Sequence, residues 1–278
     1  MNAPFVTKIR PGRRRLSFRR IGAILLRHFY LMRSSWPRIA DLIYWPLVQM
    51  LMWGFLQTYI NQSSSFLAAA GGSLLAAILL WDTLVRGQLG FSVSFLEEMW
   101  SRNMANLMIS PLSTAEYLIA LMVVSFCRLV IAIIPVTLLA IWFFGFNLWS
   151  LGFGLAAFFA NLLLFGWSVG IVVSGLILRN GLGAEMLAWT LLFLIMPLAA
   201  IFYPVAVLPG FLQPFAWALP PTYVFEGLRA ILFDHTFRAD LMLEALAINV
   251  VLIAAAAFCF TLFAKSARKI GTLMAIGE

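Results

Sequence analysis

Six apolar stretches, each long enough to cross a bilayer, dominate this chain of 278 residues. A hydrocarbon core about 30 Å thick takes roughly 20 helical residues at 1.5 Å per residue. The stretches at about 39–60, 66–96, 117–144, 151–178, 184–205 and 241–264 meet that length. Lipid offers no partner to backbone N–H and C=O groups, so such runs cross as helices that satisfy themselves. Composition excludes the water-soluble alternative. Only 11% of the residues are charged, against about 25% in ordinary domains, and 63% are hydrophobic. The few charges could not cover a soluble surface enclosing 25 Phe and 10 Trp. The chain reads as an all-α integral membrane protein.

The charges that remain fix an orientation. Residues 1–40 hold Lys8, Arg10, Arg13, Arg14, Arg15, Arg19, Arg20, Arg27, Arg33 and Arg38 with no acid. A basic arm can bind nucleic acid, but ahead of apolar spans it reads as an arm lying on anionic lipid and setting topology. No nucleic-acid partner is expected. Arg27 and Arg33 interrupt the apolar residues near 21–26, so no cleavable signal peptide is expected there. Arg102, Arg179 and the group Lys265, Arg268 and Lys269 fall on the same side as the arm, and the turns at 61–65 and 145–150 carry no charge. Both termini are therefore expected in the cytoplasm. The organisation that follows is a basic arm and interfacial helix at 1–38, a six-span domain at 39–264 and a cytoplasmic tail at 265–278. Cys127 and Cys259 lie far apart within apolar runs and read as small buried residues.

Three segments stand out from the spans. Phe18, Ile21, Leu25, Phe29, Met32 and Trp36 recur at spacings of three and four, which predicts one apolar stripe on a helix lying in the membrane interface, with Arg20 and Arg27 turned away. Packing against a partner protein would use the same stripe. The loop after the second span carries Glu97, Glu98, Trp100, Arg102, Asn103, Met104, Leu107 and Met108, then Ser110 and Pro111, with Ser113 or Thr114 placed to cap the next helix. A short amphipathic helix over about 98–109 suits docking into a groove on a soluble partner, or resting on lipid. The third segment, about 204–229, is apolar but carries Pro204, Pro209, Pro214, Pro220 and Pro221, which rule out one continuous helix. Two short helices dipping into the outer leaflet fit it better, and Glu226 can pair with Arg229 three residues on.

These residues carry a resemblance. Six spans with both ends inside, the loop sequence Ser110-Pro111-Leu112-Ser113, and the series Tyr203-Pro204, Leu208-Pro209, Gln213, Leu219-Pro220-Pro221-Thr222-Tyr223 and Glu226-Gly227-Leu228-Arg229 resemble the ABC-2 permeases of ABC transporters. The resemblance covers nearly the whole chain. It implies a permease that dimerises and binds two copies of a separate cytoplasmic ATPase, which supplies ATP and Mg for the export of a polysaccharide, lipid-linked glycan, lipid or drug. It also implies that 98–109 is the coupling helix and that Tyr203, Pro204, Pro209, Pro220, Pro221, Tyr223, Glu226 and Arg229 form a re-entrant exit gate. Many relatives carry Gly-Thr shortly before the equivalent of Leu107, where this chain has Arg102-Asn103.

No GxxxxGK[ST] motif occurs, so nucleotide binding of that type belongs to another polypeptide. His28 and His235 have no ligand-spaced neighbours and no metal or other cofactor is expected in this chain. No GxSxG or nucleophile pair is evident. An ATPase-independent transporter or channel is the alternative reading, and a membrane enzyme using Asp82 or Glu185 is a third. Asp82, Arg86 and Arg128 are the intramembrane polar residues, where an unpaired charge costs several kcal/mol. Asp82 can pair with Arg86 or with Arg128, either fixing helix packing or facing a central route. Gly166, Gly170 and Ser174 form a small-residue stripe that suits helix packing within one subunit or a dimer seam. Trp36, Trp45, Trp142, Trp149 and Trp217 read as interfacial anchors, with sugar stacking as the sharper alternative.

Overall fold

The computed structural model describes residues 16–63 and 65–270. The stretch 1–15, with Lys8 and four of the arginines of the basic arm, and the tail 271–278 lie outside the described residues. In chain order the helices are α1 (Phe18–Arg33), α2 (Trp36–Ser63), α3 (Ser65–Trp100), α4 (Met104–Ile109), α5 (Thr114–Phe144), α6 (Phe153–Asn180), α7 (Leu187–Leu198), α8 (Gln213–Trp217), α9 (Pro220–Asp234) and α10 (Ala239–Ile270). Among the described residues there is no strand.

Among the described residues five helices are long and apolar enough to cross a membrane: Trp36–Ile60, Leu74–Trp100, Thr114–Phe144, Phe153–Asn180 and Ala239–Lys269. The stretch expected to span at 184–205 instead forms a shorter apolar helix that ends at Leu198. Its 12 residues cover about 18 Å, less than a full bilayer core. Pro197 and the positive φ of Ala200 (49°) break the helix there.

Helix directions show that the chain nevertheless turns back between α6 and α10. Asn249 near the start of α10 donates to the Asn161 backbone and side-chain oxygens, both at 3.0 Å, in the first half of α6. Gly175, near the end of α6, lies under Phe260 and Phe263 near the end of α10. The two helices run parallel, so the 181–238 segment carries the chain back to the end where α6 began. α7 makes most of that return. α9 then climbs to the same end, with Gly227 against Phe158 and Met242 and Ile231 against Gly154.

The core is built by close approach at small residues. A Cβ on Gly166 would lie 2.8 Å from the Leu84 carbonyl oxygen, and one on Gly170 would lie 3.1 Å from the Phe91 Cβ. The small-residue stripe of α6 is therefore filled by α3 of the same chain. α5 crosses the other face of α3, where the Ser125 hydroxyl donates to the Gly87 carbonyl at 2.7 Å and Trp167 Nε1 donates back to Ser125 at 3.2 Å. The Asn161–Asn249 pair satisfies polar groups that lipid would leave bare.

Candidate functional site

The end of the bundle that carries α1 and α4 is held by two buried carboxylates, Glu116 and Glu98, and by a part-buried third, Glu97. Ser113 caps α5: its hydroxyl accepts from Glu116 N, and Glu116 Oε2 accepts from Ser113 N at 2.8 Å, a reciprocal capping box. The same Glu116 carboxylate takes Ser17 N at 2.7 Å and Arg20 Nη2 at 2.5 Å. That hydrogen bond holds the Arg20 guanidinium above its ordinary pKa. Glu98, fully buried in the last turn of α3, takes Arg27 Nε at 2.7 Å and Asn103 Nδ2 at 2.7 Å. Its neighbour Glu97 accepts from Arg128 Nη2 at 2.7 Å. His28 sits fully buried between them, with Nδ1 3.5 Å from Glu97 and Nε2 3.7 Å from Glu98.

α1 is thus strapped across the inner ends of α3 and α5. Its protein-facing stripe is Ile21, Ile24, His28 and Met32. The stripe expected from periodicity splits: Ile21 and Met32 are buried, whereas Phe18, Phe29 and Trp36 are 89%, 52% and 78% exposed. Arg20 and Arg27 turn to Glu116 and Glu98 rather than to water or lipid.

The expected 98–109 helix is two pieces. α3 continues to Trp100, and Arg102, at φ 56°, breaks the backbone before α4. Glu97 and Glu98 therefore belong to α3 and face inward. Met104 is buried in the main core and Leu107 packs partly against it; the Met108 side chain lies outside the described residues. The surface left for a partner is Ser101, Arg102, Asn106, Ile109 (83% exposed) and Pro111. Ser110 ends α4, its hydroxyl donating to the Leu107 carbonyl at 2.7 Å. Trp100 Nε1 reaches Glu185 Oε2 at 3.1 Å, tying the end of α3 to the start of α7.

A cavity of about 590 Å³ opens between α2, α3 and α7. Asp82, Arg86, Glu97 and Arg128 line it, with the indoles of Trp45, Trp81, Trp100 and Trp189. Asp82 pairs with Arg86 at 3.3 Å, one helical turn on, while Arg128 pairs with Glu97, so of the two arrangements open from sequence the first is the one formed. Glu97 and Arg128 meet because α3 and α5 run antiparallel and side chains lean toward the N-terminus of their own helix. Gly166, midway along α6, packs at Leu84 and Gln88, which puts the Asp82–Arg86 pair at mid-depth.

At the opposite end, Glu226 and Arg229 hold the prolines in place. Glu226 Oε1 accepts from Val205 N at 2.9 Å, and Arg229 Nη1 donates to the Ala200 carbonyl at 3.0 Å. The Tyr203 hydroxyl donates to the Pro197 carbonyl at 2.6 Å. Pro204 and Pro209 stand on the exposed rim, whereas Pro220 and Pro221 are buried at the start of α9 and Tyr223 lies 5.0 Å ring to ring from Trp217. The fold tip between them leaves Val207, Phe211 and Phe215 exposed. Trp142 and Trp149 also point outward. No group of His, Cys, Asp and Glu that could hold a metal occurs among the described residues.

Sequence reasoning singled out Glu97, Glu98, Arg128, Asp82 and Arg86 but not His28 beside the first two, nor Glu116 under Arg20, nor Asn106 and Ile109. Ile109 follows the amphipathic run by one residue, and its outward phase was the signal available.

An all-α multi-pass membrane protein with a charged clasp at one end and a proline-rich fold at the other is the class defined by this architecture. Residues 21–233 match the family described as ABC-2 type transporter, and the chain belongs to that family. It is a transmembrane permease of an ABC-type transporter. No individual curated protein matches the chain.

Proposed function

We propose that this chain is the permease half of an ATP-driven exporter, acting as a homodimer with two copies of a separate cytoplasmic ATPase. Six crossings would be completed by the returning 181–205 segment, with both termini in the cytoplasm of a cell bounded by an inner membrane. ATP and Mg would reside on the ATPase. The cargo is an amphiphile: a polysaccharide, lipid-linked glycan, lipid or drug.

The observation that carries this reading is the construction of α4. Its inner face, through Met104 and Leu107, is fixed to the ends of the bundle, while Ile109 and Asn106 face away. A push on that outer face reaches α3 and α1 through Asn103, Glu98 and Arg27, a chain of two 2.7 Å hydrogen bonds. A charge pair at mid-depth is costly in lipid unless it is wet or enclosed. Asp82 and Arg86 therefore support placing the α2–α3–α7 cavity on the route, closed on its open side by the second copy. The outer proline fold is the gate beyond it.

The test is co-purification with the neighbouring ATPase gene product and measurement of ATP turnover in lipid nanodiscs. Ile109→Asp, which leaves the buried face untouched, is expected to lower permease-dependent turnover at least tenfold. An unchanged rate, or transport that follows an ion gradient with no ATPase bound, overturns the coupling assignment in favour of an ATPase-independent transporter.

A further inference from the structure

We propose that the cavity between α2, α3 and α7 binds the head group of the transported amphiphile, and that this head group is an uncharged, hydroxyl-rich glycosyl unit. The proposal rests on the permease reading and narrows its cargo. Charge is the first argument. The described walls carry Arg38, Arg86 and Arg128 against Asp41, Asp82 and Glu97, a balanced set. The two deep pairs are already closed, Arg86 on Asp82 at 3.3 Å and Arg128 on Glu97 at 2.7 Å. An anionic head group taking the spare donors of Arg128 would lie beside the Glu97 carboxylate, a like-charge contact in a low-dielectric site. A cationic one meets the mirror problem at Asp82.

Hydrogen-bonding capacity is the second. A guanidinium has five N–H donors and a carboxylate about four acceptor sites. Arg128 is only 6% exposed, lines the cavity, and its Nε is buried with no hydrogen-bond partner among the described residues. Guanidinium donors and carboxylate acceptors therefore share the same wall without net charge. Hydroxyls, which donate and accept at once, match such a surface; a sulfate or an ammonium does not.

Shape is the third. Trp45 comes from α2, Trp81 and Trp100 from α3 and Trp189 from α7, so three helices bring indoles to the lining that also holds the polar groups. An indole offers an apolar face and one N–H, suited to the C–H face of a pyranose with hydroxyls at its rim. The volume, about 590 Å³, lies within the roughly 300–1,000 Å³ usual for small-molecule sites. Leu42 of α2 and Phe193 of α7 also line the cavity, apolar side chains suited to the tail of an amphiphile.

The experiment uses the permease–ATPase complex in nanodiscs of phosphatidylethanolamine and phosphatidylglycerol. Three probes share one eight-carbon tail: octyl β-glucoside, octylphosphocholine and octyl sulfate, each titrated below its micellar range while tryptophan fluorescence is read. Octyl glucoside is expected to give a saturable change at a concentration at least tenfold below the other two. Trp189→Ala, on the outer helix of the site, should shift that midpoint at least tenfold. Replacing Glu97 and Arg128 together by Gln, which removes the pair without orphaning either partner, should weaken the glucoside and erase the discrimination against octyl sulfate. Equal or tighter binding of octyl sulfate or octylphosphocholine overturns the proposal. So does a non-saturable response indifferent to Trp189→Ala, which is simple partition into lipid. Co-purification and the Ile109→Asp turnover assay on the same complex report separately on coupling, so failure of the cargo assignment is distinguishable from failure of the transporter reading.

Discussion

Arg102 holds a left-handed backbone, φ 56°, in the turn that separates α3 from α4. A non-glycine residue there carries a steric cost of roughly 1–2 kcal/mol between Cβ and backbone oxygen. The glycine that many ABC-2 permeases carry near this point is the residue such a turn favours. Arg102→Gly is expected to raise the stability of the chain by about 1 kcal/mol, read as a higher midpoint in thermal unfolding in detergent. Gly166 shows the opposite constraint. A Cβ there meets the backbone oxygen of Leu84 at 2.8 Å, and backbone cannot step aside as a side-chain tip can. Gly166→Ala should separate α3 from α6 and cost about 1–3 kcal/mol, the range for overpacking, seen as a lower thermal midpoint. The spacing of Gly166 and Gly170 was readable as a seam, but whether it faced α3 or a second copy was not, because a small residue records close approach and not the identity of the neighbour.

α1 illustrates at the scale of elements what apolar periodicity leaves open. Its helix and its amphipathic character were legible, yet the phase was not. One apolar face meets protein through Ile21, Ile24 and Met32, another points outward through Phe18 and Phe29, and hydropathy scores both alike. Glu97 and Glu98 were misplaced for a related reason: acids near a loop suggest contact with solvent or a partner unless cations far upstream are known to cover them. Glu98→Ala strips the partner from Arg27 and Asn103 and is expected to destabilise the clasp by about 2 kcal/mol, the loss of charge-assisted hydrogen bonds whose cation is partly solvated. Limited proteolysis near residues 16–34 should then be faster. A milder effect belongs to the α6–α10 contact. Asn249→Ala removes the two bonds to Asn161 and should cost about 1 kcal/mol by thermal unfolding, in keeping with modest polar contributions between membrane helices.

The whole molecule has a topology that its hydropathy only partly reports. Among the described residues five helices have the length of a crossing, and the remaining passage is inferred from direction, since α6 and α10 run parallel. In a chain with Cys127 and Cys259 replaced by Ala, single cysteines at Asn147 and Thr236 should react with a membrane-impermeant maleimide in intact cells. Cysteines at Arg102 and Arg179 should react only after permeabilisation. Labelling of Thr236→Cys from the same side as Arg179→Cys would show that the 181–238 segment does not cross. The strap across the inner face also imposes an order of assembly. Arg27 leaves the ribosome 71 residues before Glu98, and Arg20 leaves 96 residues before Glu116. The contacts that seat α1 can therefore form only after α3 and the first turn of α5 have been made. A chain truncated before Glu98 lacks both carboxylates that Arg20 and Arg27 meet and the α5 face that covers Ile21 and Ile24.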